Sequence, residues 1–176
     1  QHDRGVALAA PGSEGLRSGM KAILFGATGM VGQRFITLLD GHPWFKVTLL
    51  AASSRSAGQR YADAVAGRWA LSKSIPAAAA DLVVHDASDV ARVADEVDFV
   101  FCAVDMSKDE TRALEDAYAL RETPVVSNNS AHRGTPDVPM MIPEVNPEHA
   151  VIIEAQQVLR EIQTDAGWAH LAASWP

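Results

Sequence analysis

Residues 21–32 read KAILFGATGMVG, and the fold follows from them: residues 21–25, an apolar run apart from Lys21, precede Gly26, Gly29 and Gly32. The apolar run predicts a buried strand, and apolar residues at helical spacing over residues 30–41 predict a helix. Glycines at a strand-to-helix turn let the main chain approach a pyrophosphate closely, while the helix start offers free N–H groups to the anion. This spacing predicts a dinucleotide site; the alternative is a turn that only closes a βα unit.

Strand and helix patterns alternate along the rest of the chain, which is typical of βαβ units and a parallel sheet. The strands are continuously apolar, as expected for a sheet covered on both faces. We therefore predict an α/β fold, a Rossmann-like doubly wound parallel sheet in a single domain. The further predicted strands are residues 46–52, 82–85, 98–104 and 124–127, with a short extended piece at 139–143. The further predicted helices are residues 88–96, 107–121 and 147 to about 163. Residues 53–80 are predicted to be irregular.

The ends of the chain differ from its middle. Residues 1–20 mix Gly, Ser, Pro and charged residues without periodicity, and we interpret them as a disordered leader or as residues added to the natural chain. Residues 21–157 are predicted to form a dinucleotide-binding domain. Residues 158–176 are predicted to be a divergent C-terminal tail.

Composition narrows the classes of function. The chain has 176 residues, of which 48% are hydrophobic and 21% charged, so it can bury a core. A net charge of −7 argues against a nucleic-acid partner. No apolar run approaches the length needed to span a membrane. The single cysteine, Cys102, excludes an internal disulfide and favours a cytoplasmic setting.

The segment after the second predicted strand indicates which dinucleotide binds. NAD-specific sites usually carry Asp or Glu there, to bind the ribose 2′-hydroxyl. This chain has Ser53, Ser54, Arg55 and Ser56 instead. Hydroxyl groups and a guanidinium can bind a 2′-phosphate, which favours NADP. The alternative is that Arg55 is a solvated loop residue.

A second polar segment, SNNSAHR at residues 127–133, directly follows another apolar strand. Ligands of open α/β sheets bind beyond the carboxyl ends of the strands. Asn128 is therefore a candidate for hydrogen bonding to cofactor or substrate, and Arg133 for binding a phosphate or carboxylate. The alternative is an Asn-rich turn with a surface arginine.

Five segments together resemble one enzyme family, aspartate-semialdehyde dehydrogenase, and most closely its archaeal and fungal branch. The resemblance covers residues 21 to about 157, and relatives with a similar layout are N-acetyl-glutamyl-phosphate reductase and malonyl-CoA reductase. The segments are GATGMVGQRF (26–35), SSRSAGQRY (53–61), DFVFCAVD (98–105), PVVSNNSAHR (124–133) and DVPMMIPEVNPEH (137–149).

The resemblance implies NADPH-dependent reduction of aspartyl phosphate to aspartate semialdehyde, in amino-acid biosynthesis, with a cysteine thiolate as nucleophile. It implies NADP as cofactor, an acyl phosphate or phosphate as small-molecule substrate, and a homo-oligomer. By this resemblance, the residues that bind the pyrophosphate side of NADP are Gly26, Thr28, Gly29, Met30 and Val31, and those that bind its 2′-phosphate are Ser53, Arg55 and Ser56. Cys102 and Ala103 match the strand end beside the cofactor, and Asn128 lies on the nicotinamide side. Arg133 matches the arginine that binds the substrate phosphate.

The chain departs from the family pattern beyond residue 157. The asparagine–cysteine segment that carries the family nucleophile does not occur in it, and Cys102 lies within an apolar strand where a thiol is expected to be inert. We therefore predict no catalytic residue and no metal site in this chain, and no activity by the chain alone. Three functions stay open: the NADP-binding half of the dehydrogenase, a non-catalytic NADP-binding module that pairs with a full-length subunit, or a related acyl-phosphate or acyl-CoA reductase.

Overall fold

The computed structural model describes residues 19–156 and residue 158. Most of the predicted leader and tail lies outside the described residues. Met20, which the sequence analysis assigned to the leader, is the first residue of a strand. The strands are β1 (Met20–Phe25), β2 (Phe45–Ala52), β3 (Val84–Asp86), β4 (Phe99–Cys102) and β5 (Val125–Ser127); the helices are α1 (Met30–Leu39), α2 (Tyr61–Ala64), α3 (Ala77–Ala80), α4 (Val90–Val93) and α5 (Lys108–Ala119); 3-10 turns span Ala94–Glu96 and Pro147–Val151.

The five strands form one parallel sheet in the order β3-β2-β1-β4-β5. The chain moves outward from β1 to β3 on one side and from β4 to β5 on the other. This arrangement confirms the predicted Rossmann-like α/β fold. It also makes β1 and β4 the neighbours at which the strand order reverses, which is where open α/β sheets bind their ligands.

A hydrophobic core lies on each face of the sheet because successive side chains of a strand point to opposite faces. From β1, Ile23 and Phe25 enter one core, which also holds Leu114 and Tyr118 of α5. Leu24 enters the other core, together with residues of α1, α2 and α3. The continuous apolar strands seen in the sequence are thus explained by burial on both sides.

Several predicted boundaries were wrong in detail. Residues 53–80 were expected to be irregular, but they contain α2 and α3, each a single helical turn. The predicted extended piece at 139–143 belongs to no strand. The predicted final helix begins as a 3-10 turn at Pro147–Val151 and continues as α-helix over residues 152–156; its expected end near residue 163 lies outside the described residues.

The chain groups into two compact units by its contacts. The first comprises the sheet and most of its helices, up to Met106 and again over Leu114–Asn128. The second comprises Ser107–Ala113 and the described residues from Asn129 onward. In the part of the chain that the structure describes, no strand after β5 returns to the sheet. No helix among these residues is long and apolar enough to cross a membrane.

Candidate functional site

The glycine turn leaves the sheet between the ends of two neighbouring strands. On one side, the Gly26 amide donates to the carbonyl oxygen of Ala51 in β2, at 2.9 Å. On the other, the Ala103 amide donates to the carbonyl oxygen of Phe25, at 3.1 Å. The turn is therefore fixed by main-chain bonds to both neighbours of β1. Its position is the place expected for a ligand in a sheet of this topology.

Two of the three glycines are required by the fold itself. Gly26 has a φ of +74°, and a Cβ there would lie 2.2 Å from the carbonyl oxygen of Ala103. A Cβ at Gly32 would lie 2.2 Å from the carbonyl oxygen of Gly26, so only glycine lets α1 begin this close to the turn. Gly29 differs, because its nearest neighbour would be 3.4 Å away, an ordinary contact. Packing within the protein therefore leaves room for a Cβ at Gly29, whereas a dinucleotide against the main chain would not.

The N-terminus of α1 has no cap of its own. Gly29 occupies the capping position with an extended backbone, and no side chain bonds to the first turn. That turn contains no acidic residue, and Met30 and Val31 are 69% and 45% exposed. The first N–H groups of a helix lack intrahelical partners and carry the positive end of the helix dipole. This ten-residue helix therefore presents an accessible site for an anion.

Two buried side chains that the sequence analysis missed hold the glycine turn. The hydroxyl of Tyr61 donates to the carbonyl oxygen of Ala27 at 2.8 Å, and burial raises the pKa of Tyr61. The side-chain amide of Gln33 donates to the carbonyl oxygens of Thr28 (3.1 Å) and Arg68 (3.0 Å). Both residues are at most 1% exposed. Gln33 gave a signal in the sequence, as a polar residue directly after the last glycine, but Tyr61 gave none.

The segment after β2 carries the predicted 2′-phosphate residues. Ser53 and Arg55 are exposed, and Ser56 is buried with its amide bonded to the carbonyl oxygen of Ser53 at 2.9 Å. The Gln59 side chain donates to the carbonyl oxygen of Arg55 at 3.0 Å, which fixes the backbone there. The Arg55 guanidinium forms no ion pair with any residue that the structure describes. Its charge is thus available to an external anion.

Cys102, Ala103 and Asn128 lie at the ends of β4 and β5. Cys102 is fully buried, so its thiol has no access to a substrate, and it can meet a ligand only through its main chain. The Asn128 amide donates to the carbonyl oxygen of Cys102 at 3.2 Å, and the Asn128 side chain is exposed. These three residues and Gly26 therefore share the carboxyl edge of one sheet. The predicted nicotinamide-side role of Asn128 stays a prediction.

Arg133 belongs to the second unit. It is exposed and lies in a turn, where its amide donates to the carbonyl oxygen of Ser130 at 3.4 Å. Its assignment as a ligand of the substrate phosphate stays a prediction. Across residues 19–156, no group of three His, Cys, Asp or Glu side chains could hold a metal ion.

A cavity lies away from this site, at the other end of α1. It has a volume of about 740 Å³ and is lined by the end of α1, the start of β2 and α3, including Leu39, Phe45 and Ala79. Its lining is mostly apolar, apart from groups such as the Thr48 hydroxyl, which is buried without a hydrogen-bond partner. A cavity of about 250 Å³ lies beside the Arg55 segment, next to Gly58 and Asp86. The start of α1, where the candidate site lies, lines neither of these two cavities.

Comparison with known proteins gives a consistent picture. The family described as "Semialdehyde dehydrogenase, NAD binding domain" matches residues 21–153. The aspartate-semialdehyde dehydrogenase of Methanothermobacter thermautotrophicus is 48% identical over 134 residues, and that of Archaeoglobus fulgidus 45% over 136. Each alignment covers 76% of this chain and 37% of the relative. The chain thus spans little more than a third of the length of these relatives.

Solved structures extend the similarity to three dimensions. The structure of aspartate-semialdehyde dehydrogenase with NADP from Candida albicans superimposes with a TM-score of 0.70 at 37% identity. The match covers 85% of this chain and 40% of that one. An aspartate-semialdehyde dehydrogenase from Vibrio cholerae superimposes with a TM-score of 0.59 at 22% identity, a likeness that concerns the fold alone.

Proposed function

Because the chain belongs to the semialdehyde dehydrogenase family and contains its NAD-binding domain, we propose that it binds NADP at the glycine turn and serves the reduction of aspartyl phosphate to aspartate semialdehyde. The family predicted from the sequence motifs is thereby confirmed. The cofactor preference and the reaction are the proposal. Both concern a chain that covers 37% of the length of the relatives named above.

The open N-terminus of α1 carries the proposal. A pyrophosphate there would receive hydrogen bonds from the main chain of Thr28, Met30 and Val31 and would meet the positive end of the helix dipole. Gly29 supports this placement, because the protein alone leaves space for a Cβ at that position. A glycine that the fold does not require is explained by a ligand that approaches the main chain.

The segment after β2 supports NADP rather than NAD. The exposed Arg55 guanidinium, unpaired among the described residues, would bind a 2′-phosphate through charge-assisted hydrogen bonds, aided by the hydroxyls of Ser53 and Ser56. No carboxylate stands at residues 53–56 to bind a free 2′-hydroxyl. The similar Candida albicans protein was solved with NADP.

The residues of this chain would hold the cofactor rather than attack the substrate. Bound NADPH would supply the hydride, with Ala103 and Asn128 on the nicotinamide side and Arg133 as a ligand of the substrate phosphate. The only cysteine of the 176 residues is buried, so the nucleophile would come from residues outside these 176, on a longer form of the protein or on a full-length subunit that pairs with this chain. We place the reaction in the cytoplasm, where a reducing environment keeps such a thiolate active.

A titration of the 176-residue chain tests this proposal. Calorimetry with NADP and, separately, with NAD is expected to give saturable binding of both, with NADP bound more tightly. Absence of binding to either dinucleotide would contradict the proposal, and so would a preference for NAD. A turnover assay with aspartate semialdehyde, phosphate and NADP is expected to show no reduction of NADP. Turnover that Cys102→Ser abolishes would refute the assignment of Cys102 as a structural residue.

A further inference from the structure

All four carbonyl groups of the glycine turn point to donors within the protein. The Gly26 carbonyl oxygen accepts from the main-chain amide of Gly29 at 3.0 Å, and the Gly29 carbonyl oxygen accepts from the main-chain amide of Gln33 at 2.9 Å. The two between them, on Ala27 and Thr28, accept from side chains, at 2.8 Å and 3.1 Å. The turn thus depends on two side chains for the orientation of its central peptides.

The orientation of these peptides matters for an anion. A carbonyl oxygen carries partial negative charge and repels phosphate, whereas the N–H group at the other side of the peptide attracts it. When the Ala27 carbonyl oxygen is bound inside the protein, the N–H group of Thr28, at the other side of that peptide, is left for an anion. The N–H group of the next peptide, on Gly29, donates to the Gly26 carbonyl oxygen at 3.0 Å, so fixing the Thr28 carbonyl oxygen only keeps its negative charge away from the anion. A turn whose central peptides could rotate would present oxygen and N–H alternately, and a pre-oriented turn binds more tightly because no ordering is needed on binding.

Both side chains are themselves held firmly. Tyr61 is fully buried, packs edge-to-face with Trp69 at a ring distance of 6.4 Å, and its amide donates to the carbonyl oxygen of Leu82 at 2.8 Å. The Gln33 side chain uses both of its ends, because its oxygen accepts from the amide of Ala70 at 2.8 Å. Three main-chain groups therefore fix Gln33. Since both are at most 1% exposed, neither side chain is accessible to a ligand.

We propose that Tyr61 and Gln33 are positioning residues, which set the anion affinity of the turn by holding the Ala27 and Thr28 carbonyl oxygens away from the bound pyrophosphate. This inference rests on the proposed function, since it concerns the same site. It assigns a role in ligand binding to two residues that lie behind the turn. It also explains why a tyrosine 34 residues away along the chain reaches this main-chain oxygen.

The test compares two tyrosines of the same chemistry. Tyr118, like Tyr61, is fully buried, and its hydroxyl donates to a main-chain carbonyl oxygen, that of Ala87, at 3.3 Å. Tyr61→Phe and Tyr118→Phe each remove one buried hydroxyl, but only Tyr61 bonds to the glycine turn. Calorimetric titration of the unaltered chain and both variants with NADP and NAD, together with their melting temperatures, separates a loss of stability from a loss of binding.

Tyr61→Phe is expected to weaken the binding of NADP and of NAD equally, by about tenfold, so that the ratio of the two dissociation constants stays constant. Tyr118→Phe is expected to lower the melting temperature comparably and to leave both affinities within about twofold of the original. Equal affinities for the two variants would overturn the inference while leaving the proposed function intact. Failure of the unaltered chain to bind either dinucleotide would overturn both.

A second variant, at Gln33, tests the positioning role independently of Tyr61. Gln33→Met keeps the length of the side chain and removes the donor to Thr28. It is expected to weaken both dinucleotides at a constant ratio, as Tyr61→Phe does, because the released peptide is the next one along the turn. A folded Gln33→Met variant with unchanged affinity, or with a changed ratio of NADP to NAD binding, would refute the positioning role.

Discussion

The starts of α1 and α5 are built in opposite ways. At α5, the Glu110 carboxylate accepts from the Ser107 amide at 3.0 Å and from its hydroxyl at 2.7 Å, while the Glu110 amide donates to the Ser107 hydroxyl at 3.3 Å. Asp109 adds a second acidic residue to that first turn. At α1, the capping residue is Gly29, which has no side chain, and the first turn has no acidic residue.

The difference shows where an external anion is expected. Both helices have a positive N-terminal end, because the dipole is a property of the backbone. At α5 the chain supplies its own carboxylate, in the reciprocal pattern of a capping box. At α1 it supplies nothing, so the first-turn N–H groups are left for a ligand. The four-residue helix α4 also follows a strand without a side-chain cap, so the proposed dinucleotide site is marked by the combination of an uncapped start, the glycine turn before it and the ten-residue length of α1.

The largest expected effect is the loss of stability when a Cβ atom is added at Gly26, in the turn before α1. Gly26→Ala is expected to lower the free energy of unfolding by about 3 kcal/mol, because its Cβ would meet the Ala103 carbonyl oxygen at 2.2 Å. Gly41→Ala is the matched control: its φ is +71°, and nothing lies within 4 Å of its Cβ. Its expected loss is about 1 kcal/mol, from the backbone conformation alone. Equal losses in urea denaturation would show that the close contact is unimportant.

Giving α1 an acidic first turn would make it resemble α5. Val31→Asp is expected to weaken both NADP and NAD by about a hundredfold, because the new carboxylate repels the pyrophosphate at the helix start. The melting temperature should stay the same or rise, since an acid in the first turn stabilises a helix. Val31→Asn has the same shape without the charge and should bind far better than Val31→Asp. Similar affinities for the two variants would argue that the anion binds elsewhere.

Substitution of Arg55 distinguishes binding of the 2′-phosphate from binding of the pyrophosphate. Arg55→Ala is expected to weaken NADP by about tenfold and to leave NAD unchanged, because only NADP carries the second phosphate group. Arg121→Ala is the control, an arginine whose guanidinium pairs with Asp95 at 2.8 Å. It should affect neither dinucleotide. A parallel loss of NAD affinity in Arg55→Ala would mean that Arg55 does not read the 2′-phosphate.

Removing the cap of α5 should affect stability alone. Ser107→Ala is expected to lower the free energy of unfolding by about 1 kcal/mol, the usual effect of losing a serine cap. NADP affinity should be unchanged, because this helix start contains its own carboxylate. Chemical denaturation and calorimetry on the same variant provide both values. A marked loss of NADP affinity would erase the proposed distinction between the two helix starts.

The smallest effect is the pH dependence of the same cap. The hydrogen bonds from the hydroxyl and then the amide of Ser107 hold the pKa of Glu110 below its ordinary value of 4.5. The stabilisation is therefore fully present above pH 4.5 and is lost as the pH falls through the lowered pKa. The melting temperatures of the unaltered chain and Glu110→Gln should differ at neutral pH and converge in acid. A difference that persists in acid would exclude the carboxylate as its cause.

The sequence predicted what depends on neighbouring residues. Gly26 and Gly32 act on a turn seven residues long, so their spacing alone predicted a strand, a tight turn and a helix. The capping pattern of Ser107 and Glu110 was visible for the same reason. The family resemblance then indicated the ligand, because several such local segments occur in one order.

The sequence did not predict what depends on distant contacts. Tyr61 meets the turn across 34 residues, and nothing near Tyr61 distinguishes it from an ordinary core tyrosine. The helical turn at Ala77–Ala80 was taken for irregular chain because four alanines carry no apolar period, and its packing against the core settles the conformation.

Nuclear magnetic resonance of the ¹⁵N-labelled chain tests most directly whether the N-terminus of α1 binds the pyrophosphate, because it follows each backbone amide during titration with NADP. The amide signals of Thr28, Met30 and Val31 are expected to shift saturably, while those of Lys108, Asp109 and Glu110 stay in place. Unmoved signals at the start of α1 in the presence of bound NADP, or equal shifts at both helix starts, would contradict the claim that the uncapped N-terminus of α1 holds the pyrophosphate.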